Sequence, residues 1–146
     1  MEFTEYRTRL AAYAVIVREV AQQQEILLSW FNGETPGWTM PGGGVDFEES
    51  CEQAVVREVR EETGYDVEVG ALVGVDSPFT HHDPRSGRPF KSVRVVYEAR
   101  IIGGELGTLE VGGTTDRAEW VPLAALDAAG PRTNLVDAAL EAWRRR

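Results

Sequence analysis

Residues 43 to 65 read GGVDFEESCEQAVVREVREETGY, and this stretch decides the fold. It begins as a glycine-rich turn. Ser50 and Gln53 are spaced as a capping box, and Gly64 stands where a left-handed C-cap would end a helix. The pattern therefore predicts a helix that begins at about Ser50 and ends at Thr63.

Three glutamates crowd one side of this predicted helix. Glu58, Glu61 and Glu62 are spaced i, i+3 and i+4, which brings their carboxylates together. Their repulsion weakens a helix by about 0.2–0.5 kcal/mol per pair. A hard cation such as Mg²⁺ would compensate, and the glycines would let a carbonyl of Gly42 or Gly43 approach it as a further ligand. Such a site supports substitution at phosphorus and cleavage of a diphosphate linkage.

The spacing also resembles the Nudix box of the Nudix hydrolases at every specified position. The matching residues are Gly43, then Glu49 after five residues, and after seven more Arg57-Glu58-Val59-Arg60-Glu61-Glu62-Thr63-Gly64-Tyr65. The resemblance implies an α/β/α sandwich with a mixed central sheet and the box loop and helix at the active site. It implies that Glu58, Glu61 and Glu62 are catalytic metal ligands, with Mg²⁺ as cofactor and Mn²⁺ as a substitute. Arg57 completes the catalytic set by pairing with Glu49 or a neighbour. The alternative is a solvated acidic helix face.

The rest of the chain predicts strands and helices that interleave irregularly. We expect strands at 10–17, 25–31, 38–40, 65–75, 91–102 and 118–122, a loop or hairpin at 18–24, and helices at 123–128 and 133–146. This order predicts a mixed sheet flanked by helices. No linker or repeat divides the 146 residues, so we expect a single domain over 1–146.

Composition narrows the class of protein. The net charge of -9 gives no overall positive field, so we expect no long nucleic acid as a partner. Neither a secretory signal nor an apolar run of about 18 residues is visible, which predicts a cytoplasmic protein without membrane contact. The single Cys51 excludes an intramolecular disulfide, and we expect it to be a small buried hydrophobe.

A basic loop is a second candidate for substrate binding. Arg85 and Arg88 could hold phosphates, because arginine binds phosphate oxygens bidentately. Alternatively, with Lys91, they offset the acidic surface. His81 and His82 are adjacent and cannot easily place both rings on one ion, which favours an ordinary loop over a metal site.

Three aromatic residues are candidates for stacking on a nucleobase. They are Trp38, which we include among the substrate-binding residues, and its neighbours Trp30 and Phe31. Core packing is the commoner role of aromatic side chains in strands. Both interpretations are consistent with the sequence.

The general base has several candidates. Glu62 is the candidate within the box, and Glu105, Glu110, Asp116 and Glu119 follow it in the second half of the chain. Glu110 lies in a glycine-rich segment that could bring it over the metal and the substrate. The alternative for Glu110 is an ordinary surface glutamate.

The function we expect is Mg²⁺-dependent hydrolysis of a nucleoside diphosphate derivative. By resemblance, a MutT-like nucleoside-triphosphate pyrophosphohydrolase is favoured, and an ADP-ribose or nucleotide-sugar pyrophosphatase is the alternative. A Nudix-like module that senses a nucleotide without hydrolysing it is the alternative outside the enzymes. The partner is a small nucleotide in each case, and the resemblance also allows a homodimer.

Overall fold

The computed structural model describes residues 1–107 and 115–146. Its strands are β1 (Arg7–Val15), β2 (Val17–Val20), β3 (Gln23–Phe31), β4 (Gly37–Thr39), β5 (Gly42–Gly44), β6 (Tyr65–Asp76), β7 (Phe79–Thr80), β8 (Phe90–Gly104) and β9 (Thr115–Pro122). Its helices are α1 (Cys51–Thr63), a 3-10 helix (Leu123–Ala128) and α2 (Asn134–Arg145). Each predicted strand and helix is present, with ends shifted by a few residues.

The strands form two sheets. The first has the order β5-β1-β8-β6, with β7 added to β8, and the second has the order β2-β3-β4, with β9 added to β3. In the first sheet β1 runs parallel to β8 and antiparallel to β5. The mixed sheet predicted from the element order is therefore confirmed.

The helices cover opposite faces of the first sheet, because side chains alternate along a strand. Ala11 and Tyr13 of β1 belong to a core that includes Leu135 and Val136 of α2. Ala12 and Ala14, on the other face, belong to a core that includes Val55 and Val59 of α1. This is the predicted α/β/α arrangement. We call the two sides the α1 face and the α2 face.

Local sequence determines α1. The Ser50 hydroxyl accepts a hydrogen bond from the Gln53 amide while the Gln53 side chain accepts one from the Ser50 amide, which completes the predicted capping box. Gly64 ends the helix in the left-handed conformation, with φ +83°. The expectation for Cys51 was wrong in degree, because this first helical residue is half-buried at the edge of the α1-face core.

Two connecting stretches are part of the sheets. Residues 18–24, for which the sequence allowed a loop or a hairpin, form a hairpin, with Ala21 and Gln22 both at positive φ (50° and 67°) between β2 and β3. Positive φ at both central residues matches the twist of the flanking strands. The expected glycine turn is strand β5, which pairs with β1 from Gly44 opposite Ala11 to Gly42 opposite Tyr13.

The helices are short. α1 has 13 residues and α2 has 12, whereas spanning a bilayer takes about 20 apolar residues. Within the described ranges, no helix combines the length and the apolar character needed to cross a membrane.

Candidate active site

Arg57 is the centre of a polar cluster between α1 and β5. Its Nε and Nη2 donate to the two carboxylate oxygens of Glu49 at 3.1 and 2.5 Å, a bidentate pair. Nη2 also donates to the Gly44 carbonyl at 3.1 Å. The predicted pairing of Arg57 with Glu49 is thus present in the structure. It fixes the loop before α1 onto both the helix and the strand.

The same guanidinium also contacts two box glutamates. Nη1 donates to Oε1 of Glu58 at 2.9 Å and to Oε2 of Glu61 at 3.4 Å. One nitrogen of Arg57 therefore lies between the carboxylates of Glu58 and Glu61. This offsets the repulsion that their helical spacing would otherwise create.

Glu62 joins the cluster through the backbone. Its side chain is buried, with the residue 7% exposed, and Oε2 accepts a 2.9 Å hydrogen bond from the Gly42 amide. A buried carboxylate needs such partners, because desolvating a charge is costly. The bond ties the first residue of β5 to the last turn of α1.

Glycine is required at Gly42 of β5, and at Gly43 it lets a carboxylate come close. Gly42 has φ +144°, and a Cβ there would lie 2.2 Å from the Ala12 carbonyl oxygen. A Cβ on Gly43 would lie 2.8 Å from Oε1 of Glu58. The absence of side chains thus lets the backbone of β5 and the carboxylate of Glu58 approach closely.

The direction of the β5 carbonyls corrects one predicted metal ligand. The Pro41 carbonyl accepts a hydrogen bond from the Ala14 amide, and the Val45 amide donates one to the Leu10 carbonyl. Because backbone groups alternate in direction along a strand, the amide and carbonyl of Gly43 also point at β1. The Gly42 amide and the Gly44 carbonyl point at α1 instead, where they bind Glu62 and Arg57. The Gly42 carbonyl therefore faces the carboxylates, whereas the carbonyl of Gly43 does not.

The contacts within the cluster shift the pKa values of Glu49 and Arg57. Hydrogen bonds from Arg57, followed by one from the Asp46 amide, lower the pKa of Glu49 from 4.5 to about 2. The pKa of Arg57 is raised in return, chiefly by its hydrogen bonds to Glu49. Both groups are therefore charged across the physiological range. Sequence reasoning missed Asp46, whose carboxylate lies 3.7 Å from Arg57 Nη2, because it is one of the five residues between Gly43 and Glu49 that the motif does not specify.

The donor set suits a hard divalent cation. Carboxylate and carbonyl oxygens are the ligands that Mg²⁺ prefers, and α1 and β5 offer both types side by side. Among residues 1–107 and 115–146, no three acidic or histidine side chains already surround a common point at coordination distance. Arg57 instead holds Glu58 and Glu61. The chemistry of the ligands fits the metal.

Trp38 was expected among the substrate-binding residues, and the structure contradicts this. It is 3% exposed in the α2-face core, packs edge-to-face on Trp30 at 5.0 Å, and donates its indole N–H to the Ala129 carbonyl. A buried ring with both faces packed has no surface for a base. Of the two interpretations, core packing is the one observed.

The basic loop lies away from Arg57. Arg85 is exposed and its Nε lies 3.9 Å from the buried Asp83, while Arg88 is exposed in the same loop. His81 packs its ring against Phe79 at 5.6 Å, in line with the ordinary loop favoured from sequence. The loop precedes β8 and lies beside the start of β1.

The candidates for the general base separate by position. Glu119 of β9 pairs with Leu28, which belongs to the α2-face core, so Glu119 points away from α1. Glu105 belongs to a segment packed on the end of α1, where the Gly107 amide donates to the Thr63 carbonyl. Glu110 and the Asp116 side chain lie outside the described residues.

Comparison with known proteins agrees with this geometry. The family model described as NUDIX domain matches residues 7–142. A Bacillus subtilis (strain 168) protein named "Putative 8-oxo-dGTP diphosphatase" is 34% identical over 110 residues, which cover 75% of this chain and 64% of that protein. An ADP-ribose pyrophosphatase of Methanocaldococcus jannaschii is 38% identical over 86 residues, 59% of this chain and 46% of that protein. The matches thus span less than two thirds of either relative.

A solved structure shows the same fold. The MutT NUDIX hydrolase from Burkholderia pseudomallei has a TM-score of 0.71 and 33% sequence identity, over 92% of this chain and 97% of that chain. Together with the family model, this shows that the chain belongs to the Nudix hydrolase family. The resemblance inferred from residues 43–65 is confirmed.

Proposed function

We propose that this chain hydrolyses a diphosphate linkage in a nucleoside diphosphate derivative and that it requires Mg²⁺. The observation that carries the proposal is the arrangement around α1 and β5. Glu58 and Glu61 share one nitrogen of Arg57, and Glu62 binds the Gly42 amide, so three carboxylates are fixed beside the backbone of Gly42. A purely solvated acidic face would not bind the backbone of a neighbouring strand.

The box residues have distinct roles in this proposal. Glu58, Glu61 and Glu62 would hold the cation, with the Gly42 carbonyl as a further ligand. When bound, Mg²⁺ would supply activation of water and neutralisation of phosphate charge, and Mn²⁺ would substitute for it. Arg57 positions the carboxylates without touching substrate. Glu62 and Glu105 are the candidates for the general base on the described part of the α1 side.

For the substrate, we favour a nucleoside triphosphate and hence a MutT-like pyrophosphohydrolase. The Burkholderia pseudomallei structure, which carries the MutT name, covers nearly the whole chain, and the Bacillus subtilis relative is named for 8-oxo-dGTP. ADP-ribose is the second candidate, because the Methanocaldococcus jannaschii relative, at 38% identity, is named for it.

A substrate panel with Mg²⁺ or Mn²⁺ tests the proposal. The panel comprises the common and oxidised nucleoside triphosphates, ADP-ribose and nucleotide sugars, and products are identified after reaction in ¹⁸O-water. Glu61→Gln and Glu62→Gln should each lower kcat by at least about 100-fold, because each removes a charged oxygen from the cluster. Glu141→Gln, in an exposed pair on α2, is the matched control. Wild-type turnover by both box variants would refute the proposal.

The non-enzymatic alternative is tested in the same preparation. A sensing module would bind one of these nucleotides in titration calorimetry and leave it intact over hours in the presence of Mg²⁺. Hydrolysis at a rate that Glu62→Gln abolishes would exclude this alternative.

A further inference from the structure

A recess lined by aromatic side chains lies at the end of the first sheet, beside the basic loop. Tyr6, Phe79 and Phe90 line a volume of about 190 Å³, together with His81 and Lys91. We call it the aromatic recess. Phe79 is 67% exposed and packs edge-to-face against the His81 ring at 5.6 Å, so both rings are accessible to a ligand.

Part of the aromatic recess lies on the same side of the sheet as the candidate active site, whereas Phe90, which pairs with Arg7, projects on the other face. Lys91 pairs with Thr8, which is on the face of Ala12 and Ala14 because alternate residues of β1 share a face. Phe79 pairs with Lys91 and therefore shares that face. Both side chains thus project on the α1 face.

The pairings of strand β1 allow the distance between the recess and the box to be estimated. Thr8 pairs with Lys91 at the recess, and Ala12, four residues later, pairs with Gly43 at the box. At about 3.3 Å per residue, this places them about 13 Å apart along the strand. Gly43 and Phe79 are also separated by three strand spacings of about 4.8 Å, because the order is β5-β1-β8 with β7 on β8, so the two sites are about 20 Å apart. A nucleotide must therefore be extended for its phosphates to lie at the box while its base reaches the recess.

The surroundings of the recess carry both signs of charge. Residues 81–91 bring Arg85, Arg88 and Lys91 with Asp83, and residues 1–7, whose Met1 and Tyr6 line the recess, bring Glu2, Glu5 and Arg7. Lys91 Nζ lies 5.3 Å from the centroid of the Tyr6 ring, a cation–π contact. The ring-lined walls suit a flat aromatic group, and Lys91 supplies a polar group beside them.

The recess is also preorganised. Asp83, which is 6% exposed, accepts from the Arg85 amide, and its carbonyl accepts from the Gly87 amide at 2.7 Å, which closes the loop on itself. The Ser92 amide donates to the Pro78 carbonyl and fixes the base of the loop. A wall held in this way loses little freedom when a ligand binds.

We propose that the aromatic recess binds the nucleobase of the substrate while its phosphates lie at the box. This inference rests on the proposed function, and it names Phe79 and Tyr6 as residues that determine specificity. The base would stack on these rings, and Lys91 and His81 would be the polar groups available to its edge.

Ligand binding in the absence of turnover tests the recess directly. Titration calorimetry compares AMP, GMP, CMP and UMP with ribose 5-phosphate on the wild type, Phe79→Ala and Leu72→Ala. Leu72 is 57% exposed on β6 and is the control. The wild type should bind at least one nucleotide more tightly than ribose 5-phosphate. Phe79→Ala should weaken that nucleotide by about 5- to 150-fold, whereas Leu72→Ala should not. Equal binding of nucleotide by wild type and Phe79→Ala would overturn the inference.

Kinetics separate this inference from the proposed function. Phe79→Ala should raise KM for the nucleotide substrate by a similar factor with kcat unchanged, because a stacking contact acts on binding. If the wild type hydrolyses the nucleotide and Phe79→Ala keeps its KM, the recess is not the base site although the enzyme assignment stands. If nothing is hydrolysed but Phe79→Ala loses nucleotide binding, the recess stands and the proposed function falls.

Discussion

The backbone amide of Gly42 donates a 2.9 Å hydrogen bond to Oε2 of Glu62, so a carboxylate of the box helix is also a backbone acceptor for the neighbouring strand. The Glu62 side chain thus supplies both a negative charge and a hydrogen-bond acceptor, and mutation can separate these two contributions. Glutamine keeps an oxygen for the amide and removes the charge. Alanine removes both.

Glu62→Ala should therefore destabilise the protein, whereas Glu62→Gln should not. Loss of the acceptor leaves a buried amide without this partner and costs about 1–3 kcal/mol of the free energy of unfolding. Glu62→Gln should stay within about 1 kcal/mol of the wild type while losing activity. Urea unfolding measures both. Equal destabilisation by the two variants would show that charge, rather than the Gly42 bond, is what position 62 supplies to stability.

Gly42→Ala should unfold more readily than Gly44→Ala. At Gly42 the Cβ would meet the Ala12 carbonyl oxygen at 2.2 Å and φ is +144°, which together cost about 2 kcal/mol or more. At Gly44 the nearest atom, Nη2 of Arg9, is 3.7 Å away, so alanine there should change stability by less than about 0.5 kcal/mol. Thermal and urea unfolding of the two variants measure this difference in stability. Equal stability of Gly42→Ala and Gly44→Ala would contradict the strain assigned to Gly42.

The contribution of Glu49 to stability should disappear in acid. Its pKa in the folded protein, about 2, lies below the usual 4.5, so the carboxylate stabilises the fold above about pH 4.5 and loses this effect as the pH falls toward 2. The difference in unfolding free energy between wild type and Glu49→Gln should thus be largest near neutrality and shrink below pH 4.5. Urea titrations across this range measure it, with Glu141→Gln as control. A difference independent of pH would refute the assignment to the Arg57 pair.

Two arginines of β8 pair with carboxylates of β6, and they should differ in their contribution to the free energy of unfolding. Arg94 binds Asp76 at 2.7 and 2.6 Å and Asn134 of α2 at 2.8 Å, and its side chain is 12% exposed. Arg100 contacts Glu68 at 3.2 Å with 72% exposure. We expect Arg94→Lys to lower the free energy of unfolding by about 1–2 kcal/mol, because lysine cannot make the two parallel hydrogen bonds of a guanidinium to Asp76. Arg100→Lys should cost less than about 0.5 kcal/mol. Equal costs in urea unfolding would contradict this.

The sequence predicted the box helix well because its determinants are local. Ser50 and Gln53 cap one end, Gly64 caps the other, and Arg57 reaches Glu49 within the same short segment. No distant residue is needed to specify these contacts. The i, i+3 and i+4 spacing alone placed the glutamates on one side.

Other features depend on strand register, which local sequence does not encode. Gly43 pairs with Ala12, and only this pairing shows that the Gly42 carbonyl, not that of Gly43, faces α1. The alternatives for Trp38 and Glu119 stayed open for the same reason, because the face each one occupies follows from its pairing with β3. A single residue of shift would have exchanged inside and outside.

The position of β1 has a consequence for how the protein folds. β5 is held by β1, and β1 is held on its other side by β8, with Arg7 opposite Phe90 from the second half of the chain. Parallel pairing between such distant segments closes a long loop and forms slowly. We therefore expect the sheet that supports the glycine strand to be completed late in folding. A nascent chain that has emerged only as far as α1 would carry the whole motif without the strand that holds β1 on its other side.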